Sequence, residues 1–129
     1  MTATVSPQWS AVCKVTDLDP ERGAVALVHG RQVALFRTHD GEVYAIGHRD
    51  PFSGAYVLAR GIVGSRAAAG GEVPTVASPM YKQVFDLRTG RCLDDEKVAV
   101  PSYPIRIVDG IVEVGTPRGK PERTRGEPR

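Results

Sequence analysis

Two short segments of the chain carry most of the residues whose chemistry could matter. The first contains His48 and Asp50, and the second begins at Ser78. A His-x-Asp spacing could place an imidazole and a carboxylate beside one metal ion. No third ligand can be identified for such a site, and a loop histidine bonded to backbone or solvent is the favoured interpretation. We therefore predict no metal site.

Nucleophilic and phosphate-binding chemistry lack the patterns that they require. Ser53 and Ser78 are outside any Gly-x-Ser-x-Gly elbow, and no His–Asp partner can be assigned to either. Gly61–Gly64 has neither the lysine nor the strand-to-helix setting of a phosphate loop. Cys13 and Cys92 each stand alone, which predicts small, semi-buried apolar side chains. We predict no catalytic residue on this chain.

Short β-type runs separated by turn residues must position these segments. Residues 24–46 predict a three-stranded meander, with a hairpin turn at 29–31 and another turn at Asp40-Gly41. Asp109-Gly110 lies between two further β-type runs within 105–114 and predicts a second hairpin. Together these runs predict antiparallel strands that are joined by tight turns.

The rest of the chain adds weaker signals. Pro101 and Pro104 bracket Ser102-Tyr103, which indicates an edge strand. A short helix is considered within residues 65–72, although a glycine pair weakens it. The predicted fold is all-β, a small sandwich or barrel of short antiparallel strands, and residues 47–83 are expected to hold functional loops.

Length and composition limit the class of protein. The chain has 129 residues, of which 41% are hydrophobic and 25% charged, and this suits one globular domain. No apolar run approaches the roughly 20 residues of a membrane span, and the N-terminus lacks a secretory pattern. No basic stripe with interleaved aromatics suggests nucleic-acid binding. The default expectation is a cytoplasmic protein without nucleic-acid or membrane partners.

The basic charge is concentrated at one end of the chain. Residues 116–129 carry five basic and two acidic side chains. Their net charge of +3 exceeds the formal net charge of +2 of the whole protein. They are rich in Pro and Gly and predict a disordered tail, more simply a solubilising extension than a contact for nucleic acid or an acidic partner. The expected organisation is an N-terminal arm over 1–8, a folded domain over 9–115 and this tail.

The two segments resemble the cluster-binding loops of Rieske iron–sulfur domains. In that family the loops read Cys-Pro-His-x-Gly and Cys-Pro-x-His-Gly, with Phe-Asp shortly behind, and their two Cys and two His bind a [2Fe–2S] cluster. Here they read Asp50-Pro-Phe-Ser-Gly54 and Ser78-Pro-Met-Tyr-Lys82, followed by Phe85-Asp86 and Gly90. Both prolines are kept. The four ligand positions hold Asp50, Phe52, Ser78 and Tyr81.

The chain resembles more specifically the small subunit of assimilatory NAD(P)H-dependent nitrite reductase, from about Trp9 to Val114. The supporting stretches are Trp9–Cys13, Ala34–Arg37, Asp50–Gly54, Arg60–Gly64, Ser78–Gln83 and Phe85–Leu93. The resemblance implies an enzyme that reduces nitrite to ammonium. It also implies a large subunit with FAD, an iron–sulfur cluster and sirohaem, to which this cofactor-free chain binds. It does not distinguish NADH from NADPH.

The side chains at the four ligand positions argue against a cluster on this chain. Phe52 has no donor atom, Asp50 could offer only an oxygen, and Ser78 and Tyr81 would be poor, hard ligands for iron bridged by sulfide. We predict that no cluster is bound.

Without a cluster, the two loops become a candidate interface. Its members are Phe52, Met80, Tyr81 and Lys82, near Asp50. In the alternative, Phe52 and Tyr81 fold inward and fill the space of the cluster. Arginines could steer an acidic partner, although ordinary solvated side chains are the simpler interpretation. They are Arg49, Arg60, Arg88 and Arg91.

Two other functions stay open at this point. One is a stand-alone protein-binding module that reuses the Rieske fold, since fold alone does not fix function. The other is a Rieske electron-transfer ferredoxin, which would need the two Cys and two His that are missing.

Overall fold

A computed structural model describes residues 8–117, which form ten strands and two short 3₁₀ turns. The strands are β1 (Ser10–Lys14), β2 (Gly23–Val28), β3 (Arg31–Arg37), β4 (Val43–Gly47), β5 (Ile62–Ala68), β6 (Gly71–Ala77), β7 (Val84–Asp86), β8 (Ser102–Tyr103), β9 (Ile105–Val108) and β10 (Ile111–Val114). The 3₁₀ turns cover Val15–Asp17 and Leu58–Arg60. This confirms the all-β prediction. Within residues 8–117 no helix has the length and apolar character to cross a membrane.

The predicted arm and the predicted tail fall mainly on residues 1–7 and 118–129. Apart from their junctions with the domain, they lie outside the described residues.

The strands form three antiparallel sheets. The orders are β1-β10-β9, β2-β3-β4-β8 and β5-β6-β7. The four-stranded sheet packs on a different sheet with each face, because successive side chains of a strand point to opposite sides. On β3, Ala34 and Phe36 belong to one core, whereas Val33 and Leu35 belong to the other. This explains why Val33–Phe36 is an unbroken apolar run in which every residue is buried.

Two cores therefore hold the domain together. The first core, against β6 and β7, contains Ala34, Phe36, Ile46, Leu58, Ala59, Val76, Phe85, Leu87, Cys92 and Val100. The second core, against β10, contains Leu18, Val28, Val33, Leu35, Val43, Ala45, Tyr103, Val112 and Val114. Cys92 is buried and Cys13 half-buried, both as free thiols, in agreement with the expectation for isolated cysteines.

The turns predicted from short local motifs are present. His29 and Gly30 both have positive φ, of 49° and 79°, and so do Asp109 and Gly110, of 52° and 77°. Two successive positive φ values are the geometry of the two-residue type I′ hairpin. The predicted meander corresponds to β2, β3 and β4, with Arg31 already inside β3. The predicted edge strand is β8, which pairs with β4 at the end of the four-stranded sheet.

The short helix considered within residues 65–72 is wrong. This segment turns at Ala69 and Gly70 and joins β5 to β6, and both Gly70 and Gly71 have positive φ, of 89° and 129°. Alanine favours helix, but the glycine pair provides a turn, and the hairpin pairs from Ile62–Ala77 to Ala68–Gly71. The two expected loops, at the two ends of residues 47–83, are therefore separated by a hairpin.

The two Rieske-like loops follow strands of two facing sheets. The first loop (Asp50–Gly54) follows β4, and the second loop (Ser78–Lys82) follows β6. Ile46 on β4 and Val76 on β6 both belong to the first core. Packing across this core brings the two strand ends together, and the loops with them.

Candidate functional site

The first loop closes as a five-residue turn. The N–H of Gly54 donates to the carbonyl of Asp50 at 2.7 Å, and the N–H of Phe52 donates to Asp50 Oδ1 at 2.8 Å. Gly54 has φ of 80°, which glycine tolerates without a steric cost. Pro51 supplies the restricted φ that suits the second position of a turn. The sequence Asp-Pro-x-x-Gly thus specifies this loop locally.

The second loop repeats the same hydrogen bonds. The N–H of Lys82 donates to the carbonyl of Ser78 at 3.0 Å, and the N–H of Met80 donates to Ser78 Oγ at 3.2 Å. Lys82 takes the positive φ, of 65°, in the place where the first loop has glycine. In each loop, the residue that aligns with the cysteine of the Rieske pattern therefore uses its side-chain oxygen to shape its own turn.

A hydrogen bond joins the two loops at their first residues. Ser78 Oγ donates to Asp50 Oδ2 at 2.6 Å, a distance typical of a hydroxyl bonded to a carboxylate. The two residues are 28 positions apart in the chain, and both are buried, with 0% and 1% of their surface exposed. Sequence analysis identified both positions but not their bond, which depends on the packing between sheets.

The carboxylate of Asp50 is well supplied with donors. Oδ1 accepts from the N–H of Phe52 at 2.8 Å and from the N–H of Ser53 at 3.4 Å, while Oδ2 accepts from Ser78. A buried carboxylate is costly unless such bonds replace its water. Asp50 is therefore a structural centre for both loops.

Phe52 and Tyr81, at the former histidine positions, face in opposite directions. Phe52 is half-buried and packs on the first core, where its ring centroid lies 6.3 Å from that of Phe85 at an interplanar angle of 54°. Such tilted aromatic pairs contribute about 0.5–1.5 kcal/mol beyond the area that they bury. Tyr81 is 61% exposed. The inward alternative therefore describes Phe52 but not Tyr81.

The tip of the second loop is exposed. Met80 is 46% exposed, and Pro79 and Lys82 lie on the surface beside Tyr81. An exposed thioether and an exposed aromatic ring next to a cation are side chains suited to protein contact.

The four ligand positions do not fit a [2Fe–2S] cluster. Asp50 and Ser78 are bonded to each other, Phe52 offers no donor, and Tyr81 faces solvent. In the described part of the chain, His, Cys, Asp and Glu side chains form no group of three or more that could hold a metal ion.

His48 holds the backbone that follows the first loop. Its Nδ1 accepts from the N–H of Ala59 at 3.1 Å, and its carbonyl accepts from the N–H groups of Val57 and Leu58. This confirms the interpretation of a histidine bonded to backbone. Burial lowers the pKa of His48, and the nearby Arg60 guanidinium lowers it further. His29 and His39, in the turns that follow β2 and β3, are exposed.

A basic groove beside the first loop was not anticipated from sequence. Its volume is about 370 Å³. The lining includes Arg31, His48, Arg49 and Tyr56. Arg49 had been considered as a steering charge, but Arg31 had been noted only as a turn residue. The signal that could have found the groove is the β3–β4 register, since Val33 pairs with Gly47 and the N–H of His48 donates to the carbonyl of Gln32 at 3.3 Å.

The other arginines proposed for steering differ in their contacts. Arg88 donates to both carboxylate oxygens of Asp86, at 3.2 and 2.9 Å. Arg91 contacts the carbonyl of Glu96 at 3.5 Å. Within residues 8–117, neither Arg49 nor Arg60 forms an ion pair. Arg49 and Arg60 are thus better suited than Arg88 to an external partner.

The bond between the loops can be tested with a double-mutant cycle. Ser78→Ala leaves Asp50 Oδ2 buried without its donor, and we expect a loss of about 1–3 kcal/mol in the free energy of unfolding. Asp50→Ala and the double variant complete the cycle in urea, with Ser65→Ala on an exposed position as the control. The coupling energy should be about 0.5–3 kcal/mol. Strictly additive losses would contradict a direct bond.

The pKa of His48 predicts how stability depends on pH. The folded state holds the imidazole below its ordinary pKa of 6.5, so the unfolded state binds the proton more readily. The contribution of neutral His48 to stability is present above about pH 6.5 and is lost as the pH falls through the lowered folded value. His48→Gln should flatten this dependence in unfolding measurements, whereas exposed His39→Gln should keep it. Equal slopes for the wild type and His48→Gln would rule this out.

Comparisons with known proteins agree with this geometry. The family model of the Rieske-like [2Fe-2S] domain matches residues 8–115. The nitrite reductase (NADH) small subunit of Salmonella typhimurium is 44% identical over 108 residues, which cover 83% of this chain and 96% of that protein. A crystal structure from Mycobacterium tuberculosis, assigned as an NADH-dependent nitrite reductase small subunit, is 46% identical with a TM-score of 0.80, covering 87% of this chain and 97% of that one.

One further relative is a much longer protein. The nitrite reductase [NAD(P)H] large subunit of Klebsiella oxytoca is 42% identical over 113 residues, which cover 88% of this chain but 11% of that protein. A domain like this chain is therefore also found within a larger polypeptide. By the extent of these matches, the chain belongs to the Rieske-like [2Fe-2S] domain family, among the nitrite reductase small subunits.

Proposed function

We propose that this chain is the small subunit of an assimilatory nitrite reductase, the enzyme that reduces nitrite to ammonium with NAD(P)H. The similarity to small subunits along 96% of their length carries this proposal. The chain supplies no catalytic group. It binds the large subunit and stabilises or organises it.

The large subunit is the partner that the relatives support best. In Klebsiella oxytoca a segment 42% identical to this chain is part of the large subunit itself. Fusion of two domains in one protein is expected where the same domains otherwise associate as separate chains. We place FAD, the iron–sulfur cluster and sirohaem on the large subunit, as the family resemblance implies.

We propose further that this chain carries no cofactor. The support lies in the donor set, because the bond between Asp50 and Ser78 occupies two of the four ligand positions and Phe52 fills a third with an apolar ring. The chain therefore has no redox centre through which electrons could be transferred. Its effect on the enzyme comes from binding.

Docking is assigned to the exposed tip of the second loop. Met80, Tyr81 and Lys82 offer an apolar and a cationic surface on a loop that the Asp50–Ser78 bond holds in place. Phe52 acts from the inside, through its packing on Phe85. A rigid loop suits association because less side-chain and backbone freedom is lost on binding.

Location and chain organisation complete the proposal. A cytoplasmic location suits the free thiols of Cys13 and Cys92, which a reducing compartment would maintain. The division into an arm over 1–8, a domain over 9–115 and a basic tail over 116–129 stays a prediction.

Activity measurements test the function. NAD(P)H-dependent nitrite reduction by the purified large subunit is measured with and without this chain, and co-migration is followed on a sizing column. We expect higher activity or a longer-lived complex when the chain is present, because the small subunit organises its partner. No effect and no co-migration would overturn the assignment and favour a free binding module.

Single substitutions test the docking loop. Tyr81→Ala should weaken association with the large subunit about tenfold while leaving the unfolding midpoint unchanged, since the side chain is exposed. Phe52→Ala should lower stability as well as affinity, because its ring supports the loop. Leu27→Ala, 71% exposed on β2, serves as the control. Unchanged affinity for Tyr81→Ala would refute docking through this tip.

A further inference from the structure

The basic groove is built from three separate parts of the chain. Gly30–Gln32 of the β2–β3 hairpin form one side, and Gly47–Arg49 lead along it into the first loop at Pro51. The remaining lining residues are Tyr56, Ala99, Val100, Pro101 and Tyr103. The groove therefore adjoins the first loop, which the Asp50–Ser78 bond joins to the second loop.

The charge of the groove has one sign. Arg31 and Arg49 line it, no carboxylate residue does, and within residues 8–117 neither arginine forms an ion pair. Arg31 begins β3, and Arg49 lies two residues after the end of β4, the antiparallel neighbour of β3. Two positive charges that line one groove without a carboxylate partner attract an anion.

Neutral donors and apolar surface complete the lining. Because Nδ1 of His48 accepts from the N–H of Ala59, the neutral ring carries its hydrogen on Nε2 and retains a donor. The Tyr56 ring lies 6.3 Å from that of His48 and is 53% exposed. Pro51, Val100 and Pro101 add apolar area. Guanidinium groups with nearby hydroxyl and imidazole donors match the oxygens of a carboxylate.

We propose that this groove binds carboxylate side chains of an acidic segment of the large subunit. The inference rests on the proposed function and extends it from the loop tip to a second contact. A protein segment fits better than a free small anion because Arg31, Arg49 and Tyr56 are all exposed along an open groove. Small-molecule sites usually enclose most of the surface of their ligand.

The test compares charge reversal inside and outside the groove. The double variant R31E/R49E and the control R22E are titrated against the purified large subunit at low and high salt. Arg22 is exposed, lies outside the groove lining and forms no ion pair within the described range. We expect the Kd of R31E/R49E to rise at least about tenfold at low salt, because two attractions become repulsions, and R22E to bind within about twofold of the wild type.

Each outcome decides the matter. A Kd of R31E/R49E equal to that of R22E, with wild-type binding intact, overturns the groove and leaves the proposed function standing. Failure of the wild type to bind overturns both. Sodium phosphate and sodium nitrite, titrated separately into ¹⁵N-labelled chain, provide the remaining comparison. A small-anion site predicts that either anion shifts the NMR signals of the groove amides in the wild type but not in R31E/R49E. If this shift is seen, and R31E/R49E binds the large subunit with the wild-type Kd, the groove is a small-anion site and the acidic-segment proposal fails.

Discussion

A single buried hydrogen bond, from the hydroxyl of Ser78 to the carboxylate of Asp50, fixes the relation between the two loops of this domain. Each partner also accepts backbone N–H groups of its own loop, so one pair of side chains shapes both turns and links them. In Rieske domains a cluster bound by both loops supplies such a link. Here a hydrogen bond between two side-chain oxygens supplies the link, and it fixes the position of the loop that carries the exposed residues from Met80 to Lys82.

This bond is possible because the scaffold presents the two loops with little freedom. Strands β3 and β4, at the centre of the four-stranded sheet, contribute buried residues to both cores, and the strand ends at Gly47 and Ala77 meet across the first core. Phe52, at a position where Rieske domains have a histidine ligand, packs on Phe85 of the first core instead. The end of β4 at Gly47 also lines the basic groove, together with Arg31 and Arg49, so the groove and the first loop depend on one framework.

Local features of the sequence predict much of this fold. The hairpins at His29-Gly30 and Asp109-Gly110, the meander and the edge strand β8 follow from motifs within a few residues. The β5–β6 hairpin was missed because its alanines suggest a helix. The segment forms a strand because β5 pairs with β6, and β6 in turn pairs with β7. Loss of the cluster donors was visible at Phe52. The Asp50–Ser78 bond was not predicted, since only packing between two sheets brings these residues together. The basic groove was not predicted either, since it depends on the exact register of β3 against β4.

The central claim is that these loops close without a metal cluster. It is tested most directly by assaying iron and acid-labile sulfide in the chain purified without oxygen, before and after incubation with ferrous iron and sulfide, together with its visible absorption spectrum. The account predicts no stoichiometric iron or sulfide and no absorption from a cluster, while the protein stays folded. Stoichiometric iron and sulfide bound to the folded chain would contradict it.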